Sequence, residues 1–216
     1  MRREKHNAAT SDADARNGSV CALAVCTPVA RRSAVWTPAT PMARLARVLF
    51  QVLGGLVLLS LAAQVRVPIP GTDVPGTLQL LAVLLLGLGL NREVAVGSVA
   101  LYLFSGGLGF GVFAPGSAGL LGPTGGYLVG FAIAVLLIGT LRGSCVAPLW
   151  RLWLAGLAGA GVVLGCGVVG RLFWLGDWSW AVATGLVPFV LKALVEVSLA
   201  VTLVAFWRGV PGRPAN

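Results

Sequence analysis

Residues 184–206 read TGLVPFVLKALVEVSLAVTLVAF, and every position except Lys192 and Glu196 is apolar, small or hydroxylic. Coiled as a helix at about 1.5 Å per residue, such a run exceeds the roughly 30 Å of a bilayer's hydrocarbon core. A charge at the centre of a membrane helix costs at least about 2.5 kcal/mol on insertion scales. A lysine and a glutamate one turn apart in this setting therefore imply a task, or a partnership with each other.

The rest of the chain has the same character. Of its 216 residues 57% are hydrophobic and 11% charged, where a soluble domain carries about 25% charged residues. The net charge is +9, but eight of the 16 Lys and Arg precede residue 48 and most of the others flank apolar runs. That distribution fits membrane topology and argues against a nucleic-acid-binding face. Cys21, Cys26, Cys145 and Cys166 are scattered without a CxxC pair, so they read as unpaired thiols, with neither a disulfide framework nor a metal site. No cofactor is implied.

Residues 1–41 form a separate N-terminal extension, polar and of mixed charge at first, that reads as disordered. The apolar piece VCALAVC is too short, and Val25 unsuited, for a processed leader. An alternative reading starts translation at Met42, with MARLARVLF as an ordinary opening of a membrane protein. Residues 42–210 are expected to be the transmembrane domain and 211–216 a short cytoplasmic tail. Six apolar segments follow Met42, at about 45–65, 77–90, 94–113, 126–141, 150–170 and 184–207. The predicted fold is therefore an all-α integral membrane protein with six transmembrane helices. Arg44, Arg47, Arg92, Arg142, Arg151, Arg208 and Arg213 fall on one side of this layout, and only Arg66 and Arg171 on the other. The positive-inside rule then places both termini in the cytoplasm. Three loops face outward: RVPIPGTDVPGT, the uncharged SGGLGFGVFAPGSAGLLGPTGG (105–126), and the tryptophan-rich RLFWLGDWSWA. The second reads as a lid over a small-molecule pocket or, equally, as a plain connector.

Residues 74–131 contain VPGTLQ, GFGVF and LLGPTGGYLVGF. With these motifs the chain resembles the BioY family, the biotin-binding S components of energy-coupling-factor (ECF) transporters, over roughly residues 45–207. The resemblance implies an S-component-like bundle holding one biotin in its outer half. It also implies docking on a transmembrane coupling subunit driven by paired ATPase subunits, in the cytoplasmic membrane. The chain has no phosphate-binding loop with a following Lys and Ser/Thr, so ATP hydrolysis would belong to other subunits. Docking in such transporters uses small residues four apart on the first helix. Here only Gly55 and Ala62, seven apart, share a face. The family's PFxxGDxxK motif is matched at Pro188 and Phe189, but Lys192 stands at its Gly, Ala193 at its Asp and Glu196 at its Lys.

Biotin offers two ring N–H donors, a ring carbonyl, an apolar sulfur ring and a carboxylate. Lys192 could supply a cation, one turn from the family's position. Glu196 could accept from the ring, or the two could simply neutralise each other. Gln79 carries both amide donors and an acceptor near the outer end of the second segment, suited to a ligand or to helix–helix bonding. Thr124, Gly125, Gly126 and Tyr127 open the fourth segment, where free backbone N–H groups could meet a ligand oxygen; the glycines could equally serve close packing. These seven residues are the expected substrate-binding set, with no catalytic residues. Three alternatives remain: the same scaffold with another vitamin-like ligand, an assembly scaffold with no ligand, and a membrane-embedded enzyme. The last is poorly supported, because the apolar segments hold no His and no second carboxylate.

Overall fold

The computed structural model describes residues 40–69, 76–115, 117, 119–143 and 147–209. The expectations for 1–39 and 211–216 lie outside these residues, as do Cys21, Cys26 and Cys145. Helix α1 runs Pro41–Gln64, with Pro41 in its first turn and the Thr40 hydroxyl accepting from the Ala43 N–H at 3.3 Å. A two-residue antiparallel ladder follows, β1 (Arg66–Val67) against β2 (Gly76–Thr77), pairing Arg66 with Thr77. Helices α2 (Gln79–Gly89), α3 (Arg92–Gly107), α4 (Gly125–Leu141), α5 (Leu149–Leu175), α6 (Trp178–Gly185) and α7 (Val187–Gly209) complete the chain, with a 3-10 turn at Gly119–Leu121. Among the described residues there are thus seven helices where six segments were expected.

Helix α2 is the core. It buries Gln79, Leu80, Ala82, Val83, Leu84, Leu86, Gly87 and Leu88 and packs against α1, α4, α5 and α7. At about 1.5 Å per residue its 11 residues span only about 16 Å, which neighbours on every side make tolerable. Among the described residues three stretches are long and apolar enough to cross a membrane: α1, α5, and Trp178–Gly209, which contains both α6 and α7. Helix α1 keeps Leu45, Leu49, Phe50, Leu53, Val57 and Leu61 exposed, a face suited to lipid.

Three boundaries differ from expectation. The third segment stops at Gly107 because the chain turns at Gly109, whose φ of +88° favours glycine. Phe113 then folds back, its ring filling the space a Cβ on Gly106 would occupy. The fifth continues to Leu175 and is closed by Gly176 in the left-handed conformation. Arg171, expected in an outer loop, is consequently buried inside α5, where its Nη2 donates to Thr184 Oγ1 at 2.8 Å. The loop expected after it is mostly helix α6, started by Asp177, whose carboxylate accepts from the Ser179 and Trp180 N–H groups.

Three arginines collect at one end of the bundle. Arg142 Nη1 and Arg208 Nη2 both donate to the Leu88 carbonyl, at 2.6 and 2.9 Å, and Arg151 Nε donates to Leu141 O at 2.7 Å. They satisfy carbonyls that the ends of α2 and α4 leave without intrahelical partners, and complement the helix dipoles. Gly55 faces inward, since a Cβ there would collide with Ser98 of α3. The surface on which Gly55 and Ala62 were to form a docking face is therefore spent on internal packing.

Candidate ligand-binding site

At the end of the bundle opposite the arginine cluster lies a cavity of about 380 Å³, within the roughly 300–1,000 Å³ of small-molecule sites. Leu80, Leu128, Phe131, Val163, Leu164 and Phe189 form its apolar walls, while Arg66, Thr77, Gln79, Ser117, Thr124 and Lys192 supply polar groups. The N-termini of α2 and α4 and the first turns of α7 converge here. The connection between α3 and α4 closes one side with Phe113, Ala114, Pro115, Ser117 and Pro123.

Gln79 is buried, and its amide is fixed at both ends. Thr77 Oγ1 donates to Oε1 at 2.8 Å, and Nε2 donates to the Tyr102 hydroxyl. Tyr102, fully buried, meets Phe113 edge to face with ring centroids 5.3 Å apart. Aromatic packing thus sets Tyr102, and Tyr102 sets the amide. One amide N–H and an oxygen lone pair of Gln79 are left for the cavity.

Tyr127 is held equally firmly. Its hydroxyl donates to the Gly185 carbonyl at the α6–α7 junction. Its ring occupies the space a Cβ on Gly167 of α5 would need, and lies 6.0 Å from Phe189. The Thr124 and Ser117 hydroxyl oxygens are buried without hydrogen-bond partners among the described residues. Both residues line the cavity. Buried hydroxyls are normally satisfied, so these two are available to a polar ligand.

The structure brings Gln79, Thr124, Tyr127 and Lys192 to the cavity, and leaves Gly125, Gly126 and Glu196 out of its lining. Gly125 donates its N–H to Gly122 O at 2.9 Å, and Tyr127 its N–H to Thr124 O at 3.1 Å, so neither amide waits for a ligand. The glycines serve packing instead. A Cβ on Gly125 would strike the Leu120 carbonyl, and one on Gly126 would strike the Cys166 carbonyl and lie 2.9 Å from Gly170 Cα. Lys192 Nζ lies 2.7 Å from Glu196 Oε1, with the two side chains 19% and 4% exposed. Glu196 sits one turn further along α7, buried and outside the cavity lining.

Sequence reasoning missed Arg66 and Ser117 as lining residues, and missed the walls from α5. Arg66 enters through the β1–β2 register, a pairing too short to leave a periodic signal. Val163 and Leu164 come from a helix whose apolar residues all read alike.

A model of the BioY family matches residues 32–212. The chain belongs to the BioY family. It is 36% identical over 137 residues to the biotin transporter BioY of Thermotoga maritima, covering 62% of this chain and 80% of that protein. It is 35% identical over 149 residues to the probable biotin transporter BioY of Pyrococcus horikoshii, covering 68% and 86%. The fold matches the crystal structure of the S-component for biotin from an ECF-type ABC transporter. That match has a TM-score of 0.71 at 22% identity, over 81% of this chain and 97% of the other. The expected S-component-like bundle is therefore present.

Proposed function

We propose that this chain takes up biotin across the cytoplasmic membrane as the substrate-binding membrane subunit of an ECF-type transporter. The observation that carries this reading is the cavity itself: a pocket of ligand size in a BioY-family bundle, apolar on most walls, with a fixed amide and two hydroxyls that have no hydrogen-bond partner among the described residues. Gln79 and Thr124 would meet the ring urea, Tyr127, Phe131 and Phe189 would enclose the sulfur ring, and Lys192 with Glu196 would form a polar patch beneath. The protein binds and carries without covalent chemistry. Coupling to ATP hydrolysis would come from a transmembrane coupling subunit and its ATPases. The arginine cluster supports an orientation with that end, and both termini, in the cytoplasm and the cavity facing outward. Six crossings follow if α6 and α7 together make one.

Equilibrium binding of biotin to the purified full chain tests the reading, with other vitamins as competitors. Tight, saturable binding of one biotin per chain, displaced only by close analogues, is expected. The substitutions within the PFxxGDxxK pattern at Lys192, Ala193 and Glu196 favour one second reading, a different vitamin on the same scaffold. Binding of such a competitor where biotin fails would replace the first reading with the second.

A further inference from the structure

Two cationic side chains line the cavity, Arg66 and Lys192, and their circumstances differ. Lys192 is already committed to Glu196 at 2.7 Å, and its Cε lies only 3.1 Å from the position a Cβ on Gly76 would take. Strand β2 therefore runs alongside its stem, close enough that only a glycine fits there. Moving the ammonium toward a ligand anion would leave Glu196, 4% exposed, as a buried charge without its counter-ion. Stripping one member from a buried pair is strongly unfavourable.

Arg66 has no such commitment. It is exposed at the first position of β1, and its guanidinium forms no ion pair among the described residues. The ladder sets it opposite Thr77, whose hydroxyl donates to Gln79, so the same two-residue ladder brings Arg66 to the cavity that Gln79 lines. Its exposure puts it at the mouth of the cavity, while the apolar walls of Phe131, Val163 and Leu164 lie in the interior. A guanidinium presents a planar fork of donors that fits a carboxylate with two parallel hydrogen bonds.

We propose that Arg66, in place of Lys192, holds the ligand's carboxylate at the cavity mouth, and that the Lys192–Glu196 pair remains intact as a net-neutral patch in the wall. This inference rests on the biotin reading and specifies how the acid is recognised. The ring enters first, the acyl tail points outward, and the anion stays at the water-facing rim, where it loses little hydration.

The test compares biotin with biotin methyl ester, which keeps both rings but has no anion, on the purified full chain and on Arg66→Gln. Wild type should prefer the acid by about tenfold or more, the worth of one charge-assisted contact. That preference should shrink as salt is raised, because the contact is exposed. Arg66→Gln should lose the preference by weakening acid binding alone, with ester binding unchanged as evidence that the variant is folded. Arg66→Lys should restore part of it, because a point charge lacks the fork. No acid preference in the wild type would overturn the inference without any variant. Equal weakening of acid and ester by Arg66→Gln would overturn it too, by assigning Arg66 a structural role. Binding of neither compound to the wild type would overturn the biotin reading itself, and this inference with it.

Discussion

Replacing Lys192 by methionine removes a charge and nearly preserves the side-chain volume, leaving Glu196 without its partner. At 2.7 Å and an effective dielectric near 20, the attraction in the pair is about 6 kcal/mol. Desolvating the two ions costs several kcal/mol each, so the intact pair contributes little net stability, whereas removing one partner costs about 3–5 kcal/mol. The two sides are unequal here, with side chains 19% exposed for Lys192 and 4% for Glu196. Lys192 borders the cavity and can be hydrated from it; Glu196 lies outside its lining. Lys192→Met should therefore be the costlier single change, about 3 kcal/mol, with Glu196→Met clearly less. The double replacement should return to within about 1 kcal/mol of wild type, as apolar substitutes for buried pairs commonly do. Reversible unfolding of the purified protein in mixed micelles, titrated with a denaturing detergent, measures all four members of the cycle. A double variant less stable than either single, or a Glu196→Met more damaging than Lys192→Met, would refute this reasoning.

Other consequences are as direct. Gly126→Ala or Gly170→Ala drives a methyl into the facing backbone of α5 or α4 and should cost about 1–3 kcal/mol, as overpacking does. Gly165→Ala, which meets nothing within 4 Å, should be tolerated, and thermal unfolding separates the three. Gln79→Leu removes the amide and strands the Thr77 and Tyr102 hydroxyls. Affinity for biotin, read by equilibrium binding, should fall about tenfold or more, the equivalent of 1.4 kcal/mol. Asp177 is held below the ordinary carboxylate range, first by the Ser179 hydroxyl and then by the Trp180 and Ser179 backbone N–H groups. A lowered pKa means that the cap's contribution is present above the ordinary carboxylate value and is lost as pH falls through the lowered one. Protection of α6 amides from exchange, taken relative to the intrinsic rate at each pH, should be lower in Asp177→Ala than in the wild type at neutral pH, with no difference between them once acid has protonated Asp177.

What the sequence made readable was what depends on local composition. Long apolar runs reported α1 and α5, and LLGPTGGYLVGF reported the family as a contiguous motif, whose Gly125, Gly126 and Gly130 each meet a different close neighbour. The spacing of Lys192 and Glu196 was legible as well, since residues four apart share a helix face. The burial of Arg171 was not, because a tryptophan-rich segment beside charges reads as an interfacial loop until Gly176 and Asp177 are seen to divide it into two helices. Nor was the commitment of the Gly125 and Tyr127 amides, which depends on how the preceding turn folds back.

The sequence by itself determined that this is a helical membrane protein of the BioY family, because apolar length and family motifs are properties of contiguous residues. Only the tertiary structure decided which polar groups share a cavity. Arg66, Gln79, Ser117, Thr124 and Lys192 span 127 positions of the chain. They meet because α2 is buried among its neighbours and a two-residue ladder turns Arg66 toward it. Contacts between distant residues depend on the packing of whole helices, and no local pattern encodes that.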